Sequence, residues 1–272
     1  MNLRFASLTI VALALSSASF ADSKLTGYHR YPQFRGLSGL PGGGFGVNRY
    51  GQPDFRGAMA YSTPVAYGLK DWRVVVGGSF VSKNGTFSFS ENTNTSNDTG
   101  NGTGQFLVGV PIDKFGELTV GYMVLSTEGD GAFNFQWSPP NQKGDVHFAV
   151  GVQDLRGNGG ASGTNVKGDL DNSTSFYGVG TWQANEKTFL SLGAGTKRFG
   201  GVFGSASYQL HTNVKAFAEY DHFNWNFGLA FNPFSRQLKE ETWYSNEKRT
   251  ELTMQVGVVA GRHAYWALNF SF

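Results

Sequence analysis

The sequence closes with AYWALNFSF at positions 264–272, and this stretch decides the fold class. Counted back from Phe272, every second residue is apolar, while serine, asparagine, alanine and tyrosine occupy the positions between. Side chains of a β-strand point alternately to its two faces. The stretch therefore predicts a strand with one bulky apolar face and one face of small or polar side chains.

An aromatic C-terminal residue that ends such a strand resembles the C-terminal signal of bacterial outer-membrane β-barrel proteins. The residues that carry the resemblance are Trp266, Leu268, Phe270 and Phe272. In that family the insertion machinery recognises the last strand, which then closes the barrel by pairing with the first. The resemblance implies a cell outer-membrane location, with membrane lipid and the barrel-assembly machinery as partners.

The same alternation recurs about every ten residues along the chain, as expected for barrel strands. In one run, Trp225, Phe227 and Leu229 alternate with Asn226 and Gly228. A soluble β-sandwich also alternates, but its wet face is usually rich in lysine, glutamate and threonine. Here the polar face is mostly glycine, alanine, serine, asparagine and glutamine, which favours an apolar exterior around a hydrated or tapered interior.

The strand count follows from these stripes. Most stripes are clear, whereas those at 55–69 and 86–90 are weak. At 175–182 the outer face is ambiguous, because alternate sets of apolar residues compete for it. A closed bacterial barrel needs an even number of strands, so the sequence predicts an all-β, transmembrane, antiparallel up-and-down β-barrel of about 12 strands, with roughly 10 or 14 as alternatives.

Residues 1–21 have the features of a secretory signal peptide. The start is basic at Arg4, an apolar run covers 5–15, and Ser19 and Ala21 occupy the positions that a signal peptidase reads. The run is too short to span a bilayer comfortably. We therefore expect cleavage before position 22 and export of the mature chain.

Residues 22–54, rich in glycine, proline, arginine and tyrosine, predict an irregular N-terminal arm, either periplasmic or inserted into the lumen. The barrel is then expected over 55–272. Positions 36–41, GLSGLP, loosely resemble the start of barrels encoded with exopolysaccharide export systems. That resemblance keeps an accessory role in polysaccharide export open.

Composition and motif spacing argue against several other classes. The chain has 38 glycines, 24 Phe, 11 Tyr, 6 Trp and no cysteine, and after the signal no apolar run approaches the length of a membrane helix. A net charge of +2 gives no indication of a nucleic-acid partner. The five histidines are spaced singly, without the spacing of a metal site. No sequence motif links a serine to His222, as a Ser–His hydrolase site would require. We therefore predict no catalytic residue, metal site or cofactor, and no enzyme.

Charged and amide side chains on the inward face are the main functional clue. The alternation places these residues in the lumen: Arg73, His147, Lys215, Glu219, Asp221, Glu251 and Gln255. Isolated charges in an apolar interior are costly, so this interior must either hold water or neutralise its charges in pairs. The first possibility is a passive pore for small hydrophilic solutes; the second is an internal network that closes the barrel. Because about 12 strands enclose more space than the 8 that side chains alone fill, the pore is slightly favoured.

The connections are of two kinds. Residues 91–104 and 156–174 are long and polar, whereas 113–116, 185–187 and 211–213 are short turns. Barrels of this kind place short turns in the periplasm and long loops outside the cell. The alternative function is therefore a structural or surface-interaction barrel that presents the long loops. A charged connection at 232–250 falls on the short-turn side by strand count, which does not fit this rule well.

Overall fold

The computed structural model describes residue 34 and residues 36–81, 101–124, 131–157, 173–234, 250–261 and 263–272. Within these residues, twelve antiparallel strands form a closed barrel in which each strand pairs with its neighbours in sequence. This confirms the predicted fold class and strand number. The strands are β1 Val74–Val81, β2 Asn101–Pro111, β3 Glu117–Val124, β4 Gly131–Ser138, β5 Val146–Gln153, β6 Ser175–Asn185, β7 Thr188–Gly195, β8 Val202–His211, β9 Val214–Tyr220, β10 Trp225–Phe231, β11 Glu251–Val259 and β12 His263–Ser271.

Strand register keeps the apolar stripes together on the outside. Phe106 of β2 pairs with Tyr122 of β3, which in turn pairs with Phe133 of β4. Phe106 and Phe133 are exposed on the outer surface, whereas Gln105 and Asn134 next to them in sequence are buried in the interior. Side chains on one face of a strand recur at every second residue. The register of one pair therefore determines which side of the barrel every other side chain of that strand faces.

The first and last strands close the barrel, as the C-terminal signal implied. Phe80 of β1 lies opposite Trp266 of β12, and their rings stack with centroids 6.1 Å apart. At the other end of the seam, the Phe272 backbone N–H donates to the Val74 carbonyl at 2.9 Å. Trp266, Phe270 and Phe272 are 52%, 41% and 49% exposed, as predicted for one outward stripe.

Connections divide the barrel into two ends. The turn end holds the short connections at 112–116, 186–187 and 212–213, together with the C-terminal residue. The loop end holds the connections from β1 to β2 and from β5 to β6. Most of the two predicted long loops lies outside the described residues. The same holds for three other stretches, namely the predicted signal peptide, the weak stripe at 86–90 and residues 235–249.

The barrel wall begins later than the sequence suggests. The first strand starts at Val74, and the expected boundary at residue 55 falls within residues 36–73, which carry no strand. Most of these residues are buried in the barrel interior, whereas Tyr50, Asp71 and Trp72 are exposed. We call residues 36–73 the lumen segment. Glycines and prolines interrupt its alternation, and its backbone groups bond to each other and to wall side chains instead of a strand ladder. The alternation at 55–69 is weak because these residues do not form a barrel strand.

The lumen segment crosses the interior more than once. Phe34, just before it, packs against Met123 and Ala132 near the loop end. The chain turns near Asn48, whose carbonyl accepts from Gly51 N–H, and the Gly51 carbonyl accepts from Lys70 N–H at 2.9 Å near the turn end. Between these two points the chain returns to the loop-end half of the lumen. Among the described residues, no helix is long and apolar enough to cross a membrane.

The ambiguous stretch at 175–182 is resolved by this filled interior. Phe176 is exposed on the outer surface, whereas Tyr177 and Val179 are buried inside. Tyr177 packs against Phe199 and Phe203 in a cluster that includes Leu40 of the lumen segment. Large apolar side chains can therefore face inward here because they meet protein rather than water.

Candidate functional site

The candidate site is the surface where the barrel wall meets the lumen segment. Lys215, Glu219 and Gln255 are buried on the inward face, with no measurable exposure. Each of them contacts the lumen segment directly.

Glu219 binds the part of the segment nearest the loop end. Its carboxylate accepts hydrogen bonds from six donors: the backbone N–H groups of Tyr61, Ser62 and Thr63, the hydroxyls of Ser62 and Thr63, and the Asn226 amide. The distances run from 2.7 Å for the Ser62 hydroxyl to 3.2 Å for the Thr63 N–H. Because hydrogen bonds to an ionised group are the strong ones, this carboxylate is the main anchor of residues 61–63.

Lys215 and Glu251 bind the segment closer to the turn end. The Lys215 ammonium donates to the Gly57 carbonyl and lies 5.2 Å from the centre of the Phe189 ring. Glu251 accepts from the Phe55 backbone N–H at 2.7 Å. Lys215 also interacts electrostatically with Asp54 and Glu251. Of these two carboxylates, that of Asp54 also pairs with Arg56 of the segment at 3.0 Å.

Asp221 and a residue that the sequence did not indicate, Arg198, lie beside the Glu219 anchor. Arg198 belongs to the connection after β7, yet it is fully buried. Its guanidinium donates to the Asp221 carbonyl at 2.5 Å and to the Ser62 hydroxyl at 3.3 Å. It also lies over the Phe199 and Phe223 rings, at 5.3 and 5.8 Å. Nothing in the sequence marks Arg198, because it lies in a turn and outside the alternation.

The remaining predicted residues have less direct roles. His147 is buried on the inward face, with its ring edge against the Tyr67 ring at 5.2 Å. Arg73 is buried at the turn end, where its carbonyl accepts from the Gly109 N–H. Gln255 donates to the Ala60 carbonyl at 3.2 Å.

The inward face also carries amides that the sequence prediction did not include. Gln105 donates to the Gly43 carbonyl at 2.8 Å and accepts from the Gly39 N–H at 3.1 Å. Other amides donate in the same way to segment carbonyls: Asn134 to Ser38 and Gly39, Gln153 to Ser38, Gln136 to Val65, and Asn269 to Gly44. Their signal was present as polar residues at alternate positions, but the sequence could not show that they bind peptide.

Apolar packing adds to these hydrogen bonds. Tyr61 of the segment stacks on Tyr265 of β12 with centroids 3.7 Å apart, in a cluster that also contains Phe55, Met59 and Phe217. Burial raises the pKa of the Tyr61 phenol, and likewise that of Tyr67, well above the ordinary value. Both phenols are therefore neutral at physiological pH.

Comparison with protein-family models and with curated protein sequences finds no match. Comparison with solved structures finds two porins among its matches. The structure described as KdgM porin in complex with disordered oligogalacturonate aligns with a TM-score of 0.45 and 11% identity, over 74% of this chain and 98% of that one. A mutant of the Rhodopseudomonas blastica porin aligns with a TM-score of 0.32 and 10% identity, over 62% of this chain and 55% of that one.

The arrangement as a whole can hold a polypeptide inside a barrel. Carboxylates, amides and hydroxyls from several strands make hydrogen bonds to the segment. The described interior is therefore a surface that binds the chain's own lumen segment.

Proposed function

We propose that the protein is an outer-membrane channel for small hydrophilic solutes, closed by its lumen segment. The outer surface of the barrel carries an apolar belt with aromatic residues such as Trp137 and Trp266 toward its two ends, which suits insertion into a bilayer. Delivery to the outer membrane by the barrel-assembly machinery is part of the proposal, because the C-terminal stripe has the features of its signal.

The observation that carries the channel proposal is the polarity of the wall behind the segment. The buried wall residues include Thr103, Gln105, Thr119, Asn134, Gln136, Ser138, Gln153, Thr181, Ser191, Ser207, Asn226, Thr253, Gln255 and Asn269. Water can replace the segment on such a surface because it satisfies the same donors and acceptors. Displacement of the segment would therefore leave a passage in which these polar groups bind water, beside the apolar residues of the wall.

A second candidate is a structural or surface-interaction barrel that never opens. It is favoured by the apolar clusters that join segment and wall, in which Phe45 and Val65 of the segment pack with Val75, Leu107 and Phe189 of the wall. Such packing stabilises the closed state. An accessory role in polysaccharide export would need the same passage to open for a longer solute.

Locking the segment to the wall tests the channel. The backbone N–H of Met59 lies 3.4 Å from the Ser207 hydroxyl, and the chain has no natural cysteine, so Met59→Cys with Ser207→Cys introduces a single pair. In planar bilayers we expect the reduced double variant to show openings that disappear on oxidation and return on reduction.

The two single-cysteine variants are the matched controls, and their current should not respond to the redox state. A variant lacking residues 36–70 provides the second arm, with retention of barrel structure checked by heat-modifiable electrophoretic mobility. If neither the reduced protein nor a folded deletion variant carries current, the channel proposal fails and the structural barrel takes its place.

A further inference from the structure

We propose that the lumen wall is a binding site for polypeptide main chain, and that it takes a glycine-rich polypeptide added in trans in the same way as its own segment. This goes beyond the channel, because it names a polypeptide as the ligand. It depends on how the wall contacts the segment and not on whether the barrel conducts.

The carbonyl groups of the segment are recognised by wall donors from many strands. Gln136 donates to the Val65 carbonyl at 2.9 Å, and the neighbouring inward residue of β4, Ser138, donates to the Ala66 carbonyl at 2.9 Å. Gln105, Asn134, Gln153, Lys215, Gln255 and Asn269 make further bonds of this kind. Every one of these acceptors is an atom that any amino acid supplies.

The backbone N–H groups of the segment are recognised by wall acceptors. Thr181 accepts from the Ala66 N–H at 2.8 Å, and Thr119 accepts from the Leu69 N–H at 2.7 Å. Glu219 and Glu251 accept four more such donors. The wall therefore binds both the donors and the acceptors of the peptide main chain, which a buried peptide requires.

The wall is also shaped for a main chain. Gly121 of β3 and Gly109 of β2 both face inward, and a Cβ at either position would lie closer than 3.0 Å to segment backbone, at Gly39 and Leu69 respectively. Real Cβ atoms essentially never approach so closely. These two wall glycines leave room for the peptide backbone itself.

The segment meets these contacts with small residues. Gly42 and Gly44 have positive φ angles of 86° and 87°, and a Cβ on either would collide with Val65 or with Asn269 and Leu37. Side-chain recognition adds to this, through the Ser62 and Thr63 hydroxyls on Glu219 and through apolar clusters that include Tyr61, Phe45 and Leu40. The ligand class is thus a glycine-rich polypeptide with apolar anchors.

Exchange of the segment tests the proposal. A protease site introduced at residues 70–72, where Trp72 is 61% exposed at the turn end, would convert the segment into a separate peptide after folding. A fluorescent synthetic peptide of residues 34–70 should then replace the cleaved segment inside the folded barrel. Unlabelled peptide should compete with the fluorescent peptide for this site. Binding is measured directly, so a barrel that conducts nothing can still support the proposal.

Matched variants separate main-chain from side-chain recognition. N-methylation of the peptide at Ala66 and Leu69 removes two main-chain donors and should weaken binding about tenfold or more. Asn134→Leu in the wall should also weaken it, whereas Gln209→Leu should not, because Gln209 donates to carbonyls of its own turn at His211 and Thr212. Equal binding of methylated and unmethylated peptide, or no uptake by a folded cleaved barrel, overturns the proposal.

A second arm uses the uncleaved chain, in case cleavage unfolds the barrel. Leu40→Cys places a single thiol on a buried segment residue next to Gly39. Gly121→Val should raise its rate of maleimide labelling at least about tenfold, because the added side chain displaces the segment backbone. Gly104→Val is the control, since a Cβ there meets nothing closer than 3.7 Å. Equal labelling of the two variants contradicts recognition of the main chain by the wall.

Discussion

Replacing Glu219 with leucine is expected to release residues 61–63 from the wall and to increase the conductance of the barrel strongly. Five donors of the segment lose their acceptor in this variant, namely three N–H groups and two hydroxyls. Each buried donor left without a partner costs about 1–3 kcal/mol. A loss of about 3 kcal/mol shifts the ratio of closed to open barrels by roughly 100-fold.

Single-channel recording of the Glu219→Leu variant measures this shift as open probability. Glu219→Gln should give an intermediate effect, because its amide oxygen still accepts hydrogen bonds. Glu186→Leu is the control for loss of a carboxylate, since Glu186 is exposed in the turn between β6 and β7. Unchanged conductance in a folded Glu219→Leu barrel would show that apolar packing, not this anchor, keeps the lumen closed.

Removing Phe272 is expected to reduce the amount of protein in the outer membrane to a small fraction of the normal level. The residue ends the outward stripe of β12, and its backbone exchanges two hydrogen bonds with Val74 at the closing seam. The loss therefore affects both the signal that the machinery is expected to read and the last bonds that close the barrel. Secretion to the periplasm should be unaffected.

Fractionation of cells at low and high expression measures this effect. Phe272→Ser removes the aromatic ring and keeps the backbone bonds, so it separates recognition from closure. Phe234→Ser is the matched control, because Phe234 is 73% exposed at the turn end but belongs to no strand. Normal outer-membrane levels of the truncated chain would show that the C-terminal stripe is not an assembly signal in this protein.

The wall of the barrel could be predicted residue by residue. On β9, for example, Val214 and Ala216 face outward, whereas Lys215 and Glu219 are buried inside, as the alternation indicated. Where apolar residues occupied both faces of a strand, as at Tyr177, the alternation did not show which face points outward. There the apolar inward residues are explained by the segment that they contact, which a local pattern does not contain.

The candidate site was predicted only in part. Inward charges such as Glu219 were found, because a charged residue within an alternating run must face the lumen. Arg198 was missed, since a residue in a turn has no face assigned by periodicity. The inward amides were visible in the sequence, but their partners lie far away along the chain: Gln105 and Gly43 are 62 residues apart.

Which residues face outward and which face inward follows from the alternation along the chain, and the C-terminal stripe indicated that the last strand pairs with the first. Those properties are local, because a strand repeats every second residue and its register carries the pattern to the next strand. What fills the interior became clear from the folded structure alone. A polar inward side chain is equally satisfied by water or by a peptide group, and the choice depends on contacts such as Glu219 with Ser62, which are 157 residues apart. No period along the chain encodes such a pairing, so a pore and a closed lumen have the same alternating sequence.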